Sequence, residues 1–413
     1  MLERLPRESE ARSWFWAGAV FLAILASIPL ARAIQKAVEH GLGRGAFLWT
    51  VGIAGALGVL AAAAWRARRP SGPWHWLALG VATGLFAWRV GSLRHSPEEA
   101  LHFVEYGVLS ILLYRALLHR VRDPAIYGCA LVLGTTLGIV DEALQWIVPG
   151  RIWDLRDLGV DVSAVALPQL AIALGLDPPL VARRVTVRGR LLLLRLSLVA
   201  VLLLGASLLN TPARIRAYSS ALPGLDFLAS RGSVMIEYGH RIEDPGLGVF
   251  HSRFDRAELA RNDAARGDEV GALLARYPSP RDYPAFLERY TPITDPFAHE
   301  ARVHLFRRSA YLRTAQEHPF DLDWYRSDLT VAYREQLFLE RYFPRSLAAS
   351  GLGFVPELVE YLRERQLPEV AYESRVSEGV VSAASERQVA VIWLSLLGLL
   401  AGLERVTARR LRA

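Results

Sequence analysis

Long apolar runs constrain this chain more than any other feature of its sequence. Seven are long enough, or nearly so, to cross about 30 Å of hydrocarbon as helices, and an eighth is shorter. We number these predicted spans 1 to 8: residues 14–34, 46–65, 74–93, 101–118, 124–148, 158–176, 191–209 and 389–403. A backbone inside a bilayer must satisfy its own hydrogen bonds, and helices do so. The sequence therefore predicts an all-α polytopic membrane protein.

Arginine clusters follow every second predicted span. If the spans alternate in direction, the clusters share one side, which the positive-inside rule makes cytoplasmic. We therefore expect both termini in the cytoplasm, with the loops after spans 1, 3 and 5 outside. A loose signal-peptide cleavage pattern at Ala31–Arg32–Ala33 would, if used, leave the sides of the later spans unchanged. The four clusters are Arg66, Arg68 and Arg69; Arg115, Arg120 and Arg122; Arg183, Arg184, Arg188 and Arg190; and Arg405, Arg409, Arg410 and Arg412.

Residues 210–388, between spans 7 and 8, form a long polar segment. It carries 23 arginines against 26 acidic residues, whereas the rest of the chain carries 25 basic against 15 acidic. The positive excess thus accompanies the apolar runs, as topology signals and anionic lipids favour, and nucleic-acid binding has no support. Apolar residues recurring every three or four positions predict a mostly helical extracytoplasmic domain, with a strand or extended entry at 232–242. Cys129 is the single cysteine, so no intrachain disulfide is expected.

The chain therefore divides into four predicted regions. They are residues 1–95 with spans 1–3, residues 96–209 with spans 4–7, the domain 210–388, and residues 389–413 with span 8 and a basic tail. Within the domain, "HEARVH" holds His299 and His304 five residues apart, which is not the zinc motif H-E-x-x-H. We interpret it as a surface helix. We interpret the polar residues of 240–253, which include His240, Asp244 and His251, as a structured loop.

The stretch "DEALQWIVPGRIWDLRD", residues 141–157, places several charges where span 5 should end. At 1.5 Å per residue, Asp141 and Glu142 lie about 12 and 10 Å inward of Pro149. Carboxylates at that depth are costly unless they face protein or water. Spans 4 and 6 carry ionisable groups at the same outer depth, so we predict one outward-facing polar site. The candidate residues are His102, Glu105, Tyr106, Asp141, Glu142, Gln145, Arg151, Asp157 and Asp161. Ser96, Pro97 and Glu99 predict a capping box before span 4.

The pattern DExxQxxxPGRxxxxxD, preceded by "HFVEYGVL", resembles the VanZ-like family of integral membrane proteins, named for a glycopeptide (teicoplanin) resistance determinant. The resemblance covers about residues 95–176. Where that family usually has asparagine and then glycine after its last aspartate, this chain has Asp161 and Ala164. The resemblance implies a bacterial envelope role, in the plasma (inner) membrane, linked to antibiotic resistance but to no settled reaction. The matching residues are Asp141, Glu142, Gln145, Pro149, Gly150, Arg151 and Asp157, with His102, Phe103, Tyr106 and Leu109 upstream.

Several chemical roles remain open from the sequence. Arg151 could bind phosphate or carboxylate with its planar fork, or form an ion pair with Asp154 or Asp157. His102 and Glu142 could form a general acid–base pair, or His102 could only bridge helices. No cofactor is evident, but a divalent metal could bind among the histidine and carboxylates. The residues that this metal would require are His102, Asp141, Glu142, Asp157 and Asp161.

Three functions follow, and the sequence does not decide whether the protein is an enzyme. The first is an envelope protein that binds a lipid-linked or cell-wall-related anionic group. The second is a membrane-embedded hydrolase or transferase acting on lipid phosphates. The third, a proton-coupled transporter, is less expected because transporter sites usually lie near the midplane of the bilayer. The expected partners are the lipid bilayer and, through residues 210–388, lipid-linked precursors or envelope proteins.

Overall fold

The computed structural model describes residues 8–70, 72–94, 96–148, 151–317, 322–377 and 379–412. The chain is mostly helical and divides into two compact units. The membrane unit consists of Met1–Ala206 with Val391–Ala413, and the polar unit is Ser207–Ala390. The helices in chain order are α1 (Glu10–Ser27), α2 (Ala31–Leu42), α3 (Gly45–Ala67), α4 (Pro73–Ser92), α5 (His102–Leu117), α6 (Ala125–Ile147), α7 (Leu155–Leu170), α8 (Val187–Leu208), α9 (Pro212–Ala221), α10 (Arg256–Arg276), α11 (Tyr283–Leu287), α12 (Pro296–Glu317), α13 (Leu322–Tyr342), α14 (Pro344–Ser350), α15 (Pro356–Arg365) and α16 (Glu386–Arg412).

Six helices of the described residues are long and apolar enough to cross a membrane, which indicates a membrane protein. A seventh span is added if α1 and α2, which meet at 76°, form one broken span. The bend falls at Pro29, whose ring removes a helical N–H donor, so the predicted span 14–34 is not one straight helix. α4 matches predicted span 3 but is not among the six, since His75 and Arg89 lower its mean hydropathy. The six are Gly45–Ala67, Pro97–Leu117, Ala125–Ile147, Leu155–Leu176, Val187–Leu208 and Glu386–Arg412.

α5, α6 and α7 form the centre of the membrane unit. The hydroxyl of Ser110 on α5 donates to the backbone oxygen of Val165 on α7 at 2.8 Å. The side-chain amide of Gln169, also on α7, donates to the backbone oxygen of Ser110 at 3.0 Å. A side chain at Gly134 of α6 would place its Cβ only 2.7 Å from Val165 Cγ1, so glycine permits this close approach. These contacts fix the rotation of α5 relative to α7. That rotation decides which polar side chains meet.

The polar unit combines helices with short strands, so the expected mostly helical domain also contains sheet. The strands are β1 (Glu237–Tyr238), β2 (His240–Asp244), β3 (Gly248–Ser252), β4 (Glu373–Arg375) and β5 (Val380–Val381). β2 and β3 form an antiparallel hairpin, and β4 pairs with β3 in parallel. β1 pairs with β5 in parallel, from opposite ends of the unit. The segment that we interpreted as a loop is therefore a hairpin, in which Gly248 takes a φ of 115°.

The helix that contains "HEARVH" is buried, so the interpretation as a surface helix is wrong. His299, Glu300, Arg302 and His304 of α12 are at most 3% exposed. α10 and α13 pack against α12, and the aromatic core around Phe338 surrounds it. Five-residue spacing places the two histidines on different faces, and both faces are covered. One polar contact crosses the interface with α13, where His304 Nδ1 lies 2.7 Å from Glu335 Oε2.

Candidate functional site

The predicted polar site lies where three helix ends meet. α5 begins at His102, α6 ends at Ile147 and α7 begins at Leu155. α5 and α6 both pack against α7. A Cβ added at Gly138 of α6 would lie 3.0 Å from Asp161 Oδ2, so glycine leaves room for this carboxylate against the helix. The packing of α5 and α6 against α7 therefore brings side chains from three helices to one place. We call the nine candidate residues the polar cluster.

His102 and Asp161 form the closest polar contact between α5 and α7. His102 Nδ1 lies 2.6 Å from Asp161 Oδ1. The Asp161 side chain is fully buried, whereas the His102 side chain is 17% exposed. A carboxylate at Nδ1 selects the tautomer in which Nδ1 carries the proton, so Nε2 of the neutral ring can accept one. The sequence left open whether His102 pairs with Glu142 or only bridges helices, and the observed hydrogen-bond partner is Asp161 of α7.

Tyr106 and Gln145 connect the carboxylates of α6 to the other helices. The Tyr106 hydroxyl donates to Asp141 Oδ2 at 2.9 Å. The Gln145 amide nitrogen lies 3.4 Å from Asp141 Oδ2 and 3.2 Å from Glu142 Oε1. The Tyr106 ring also stacks on the His102 ring, with centroids 6.0 Å apart and planes within 4°. One hydrogen-bonded network therefore joins Tyr106 to both carboxylates of α6.

The loop between α6 and α7 closes over the cluster. The guanidinium of Arg151 donates to Gln145 Oε1, and the backbone N–H of Asp154 donates to Glu142 Oε2 at 3.2 Å. Asp154 also caps α7, because its carboxylate accepts the N–H of Arg156 at 2.7 Å. Pro149 and Gly150, which carry the predicted end of α6, lie outside the described residues. The loop thus holds Glu142 through its backbone and places Arg151 beside the amide of Gln145.

Glu105 and Asp157 belong to the polar cluster without joining its hydrogen bonds. Among the described residues Glu105 makes no hydrogen bond or ion pair, and Asp157 Oδ1 is buried without a hydrogen-bond partner. Both carboxyl groups lie close enough to His102 to interact with its charge. Second oxygens of Asp141 and Asp161 are likewise buried without partners among the described residues. The cluster therefore contains more acceptor atoms than donors.

Charge is unbalanced within the polar cluster. Its five carboxyl groups are accompanied within the cluster by two groups that can carry a positive charge, His102 and Arg151, and Arg156 of α7 also lies near Asp157. Asp141, Glu142 and Asp161 are at most 1% exposed. Like charges in such a site cannot all ionise, because each charge without a partner is costly away from water. The cluster must therefore hold protons or a cation, and its partly exposed members are His102, Glu105, Arg151 and Asp157.

The entrance to α5 differs from the predicted capping box. Ser96 makes no side-chain cap bond, and a 3-10 turn at Pro97–Leu101 leads into α5. The carboxylate of Glu99 pairs instead with the guanidinium of Arg156 from α7. This ion pair was not predicted, because the sequence does not show that the two helix starts are neighbours. It connects α5 and α7 on the loop side of the polar cluster.

Among the residues that the structure describes, no group of three or more His, Cys, Asp or Glu side chains is arranged to hold a metal ion. No family model matches the chain, and no curated protein or solved structure matches it either. The resemblance to the VanZ-like family therefore depends on the quoted residues alone.

Proposed function

We propose that the membrane unit is a bacterial envelope enzyme, a hydrolase or transferase acting on the phosphate head of a lipid or lipid-linked precursor, with His102 as its general acid or base. The observation that carries this proposal is the 2.6 Å contact between His102 Nδ1 and the buried Asp161 carboxylate. A carboxylate at Nδ1 orients the imidazole and stabilises the imidazolium that forms during proton transfer. A histidine that only bridged helices would not need a partly exposed ring.

The proposed step follows from this pair. Nε2 of His102 takes a proton from water or a substrate hydroxyl as that oxygen bonds to phosphorus. The proton passes to the departing oxygen as its bond to phosphorus breaks, so His102 ends neutral. Arg151 offers a planar guanidinium at the loop for a phosphate oxygen. The position of the cluster at helix ends supports this chemistry over transport, since transporter sites usually lie near the midplane.

The test is turnover by the purified full chain on lipid-linked phosphates, measured as released phosphate. His102→Ala should reduce turnover about 10²–10⁴-fold, the usual contribution of general acid–base catalysis. His119→Ala is a matched control, because His119 follows the opposite end of α5 and contacts Ser13 at 3.1 Å. Turnover that survives in His102→Ala would overturn the proposal. No turnover by the wild-type protein, with an anionic lipid retained in native mass spectrometry, would favour the binding function.

We also propose that the polar unit is extracytoplasmic and that both termini are cytoplasmic, as the arginine clusters support. A cysteine placed at exposed Arg281 should react with an impermeant thiol reagent on spheroplasts, while one at exposed Arg68 should react only after lysis. Cys129 is buried and gives little background. The reverse pattern would contradict this orientation. The implied envelope role is tested separately, by comparing glycopeptide tolerance in cells with and without the chain.

A further inference from the structure

An apolar groove lies on the membrane unit between α4, α6 and α7, separate from the polar cluster. Its volume is about 580 Å³. Its lining residues include Leu167 and Leu170 of α7 and Leu174 of Ala171–Leu176, a π-helical segment that continues α7. Leu85 of α4 and Leu131 of α6 complete the apolar lining. The groove is therefore built from side chains that hydrocarbon contacts well.

The groove runs along the helices toward the end where the polar cluster lies. α4 contacts this π-helical segment at Leu79 and Gly175, where a Cβ added to Gly175 would lie 2.5 Å from Leu79 Cδ2. From Leu79 to Arg89 the chain rises about 15 Å along α4. The Phe86 ring of α4 meets the Phe103 ring of α5 edge-on, with centroids 5.7 Å apart. Arg89, one turn beyond Phe86, is therefore near the depth of His102.

Arg89 is the one charged side chain that lines this groove. Its guanidinium makes no hydrogen bond or ion pair with any residue that the structure describes, and its Nε is buried. An arginine in this position is costly unless an anion neutralises it or it reaches the head-group layer. The Arg89 guanidinium would therefore be stabilised by an anionic partner at the outer end of the apolar groove. A phospholipid has both the anionic phosphate and the hydrocarbon chain that this arrangement fits.

We propose that this groove binds one hydrocarbon chain of an anionic phospholipid, whose phosphate pairs with Arg89. Lipid tails are as apolar as leucine, so the groove alone gives little preference over the surrounding bilayer. The pairing of guanidinium and phosphate oxygens supplies the selectivity, because two parallel N–H···O bonds recognise the head group. The assignment does not depend on the reaction proposed for His102. It makes Arg89, outside the polar cluster, a determinant of lipid binding.

The experiment measures lipids retained by the purified full chain after equilibration with mixed vesicles of phosphatidylglycerol and phosphatidylcholine. Native mass spectrometry should show a preference for phosphatidylglycerol, and Arg89→Gln should reduce that preference about tenfold or more, as expected for charge-assisted hydrogen bonds. Ala173→Trp and Ala166→Phe should fill the groove and reduce the retention of both lipids. The controls are Arg68→Gln and Ala61→Trp, at exposed positions of or next to α3, which should change neither.

Each result decides for or against the groove. An unchanged preference in Arg89→Gln overturns the phosphate contact, and unchanged retention in both groove-filling variants overturns the site. Gel filtration of each variant excludes loss of fold as the cause. His102→Ala should retain the lipid preference even where turnover is lost. If His102→Ala abolishes the preference instead, the lipid phosphate binds in the polar cluster and the groove assignment is wrong.

Discussion

The two units of this protein bury charge in different ways. In the polar unit, Glu335 accepts from His304 at 2.7 Å and from Arg307 at 2.6 Å. Nearby, the guanidinium of Arg253 pairs with Glu237 and lies 3.8 Å from Glu300. Each buried carboxylate there has a cationic neighbour. In the polar cluster of the membrane unit, five carboxyl groups share His102 and Arg151, so acid is in excess.

The pKa values in the polar unit show what such pairing achieves. Burial alone would raise the pKa of Glu335, but His304 and Arg307 outweigh it and hold that pKa below its ordinary value. Burial raises the pKa of Glu300, and Arg253 offsets this only in part. Removing one partner of such a pair is costly, because it leaves the other charge buried and uncompensated. An unpaired excess, as in the polar cluster, stabilises nothing by itself and is better explained by ligand or proton binding.

The largest expected effect concerns the folding of the isolated polar unit, which either folds or stays unfolded. Residues 207–390, expressed without the membrane helices, should fold, because the buried carboxylates Glu237, Glu300 and Glu335 have cationic neighbours and an aromatic core surrounds Phe250, Phe286 and Phe338. Circular dichroism should show helix and a cooperative thermal transition with or without reductant, since the fragment contains no cysteine. A fragment that stays unfolded would remove the contrast between the units, because the polar unit would then also depend on the membrane.

The second largest effect is expected from a substitution of Asp161. Asp161→Asn keeps the shape but removes the charge beside His102, so turnover should fall about 10²–10⁴-fold. Thermal stability in detergent should hold or rise, because the change relieves an excess of buried negative charge. The measurement pairs phosphate release with a melting curve on the same sample. Full turnover combined with a large loss of stability would make Asp161 a structural residue, like those of the polar unit.

The corresponding change in the polar unit should have the opposite outcome. Glu335→Gln leaves Arg307 without its partner carboxylate and should lower the free energy of unfolding by about 3–5 kcal/mol. Urea denaturation of the fragment measures this. Glu364→Gln is the control, since that carboxylate is 64% exposed and should change stability little. A small effect at Glu335 would contradict the view that paired charges hold this unit together.

The smallest expected effect is a dependence on pH. Burial, with the charges of Arg253 and Arg302, holds the pKa of His299 well below its ordinary value, so this ring stays neutral in the folded unit. The unfolded chain binds a proton there below about pH 6.5. His299 should therefore lower the stability by up to about 1.4 kcal/mol per pH unit as pH falls from that value. His299→Gln should reduce the slope between pH 6.5 and 5, and an unchanged slope would assign it to other groups.

A second window lies at lower pH. The pKa of Asp244 is held below its ordinary value: burial would raise it, but hydrogen bonds from Arg341 and Tyr342 outweigh burial. Glu335 shares this direction. A carboxyl group whose pKa is lower in the folded state than in the unfolded chain stabilises the fold above the unfolded pKa of about 4. That stability is lost as the pH falls through the folded pKa. The fragment should therefore lose further stability below about pH 4, and Glu335→Gln should weaken this second loss.

Membership of the polar cluster could be predicted because helix geometry fixes depth. Counting back from the predicted helix end placed Asp141 and Glu142 at the right level, and the start of α5 placed His102 beside them. The pairing could not be predicted, since His102 meets Asp161 rather than Glu142 through the rotation that Ser110, Gly134 and Val165 impose. Those contacts involve no charged residue and leave no periodic signal.

The buried helix α12 shows a different limit. Periodicity reveals a helix face that is apolar, but it does not show what covers a polar face. His299 and His304 were interpreted as surface residues because they are polar and five apart. Their burial depends on Tyr283, which lies 3.3 Å from His299, and on Glu335, which is far along the chain. By contrast, the predicted ends of spans 2 to 5 lie close to the observed ends of α3, α4, α5 and α6, because arginine, proline and glycine mark helix ends locally.

The parallel pairing of β1 with β5 has an evolutionary consequence. Glu237 lies opposite Val380, so an early and a late segment of the polar unit are held about 4.8 Å apart, the spacing of neighbouring strands. The ion pair of Arg214 with Glu386, at 2.6 Å, brings the chain together near both ends of the unit. A domain can be inserted into a loop of another domain when the first and last residues of the inserted domain lie close together. Gain or loss of this module by recombination would need no change elsewhere in the host chain.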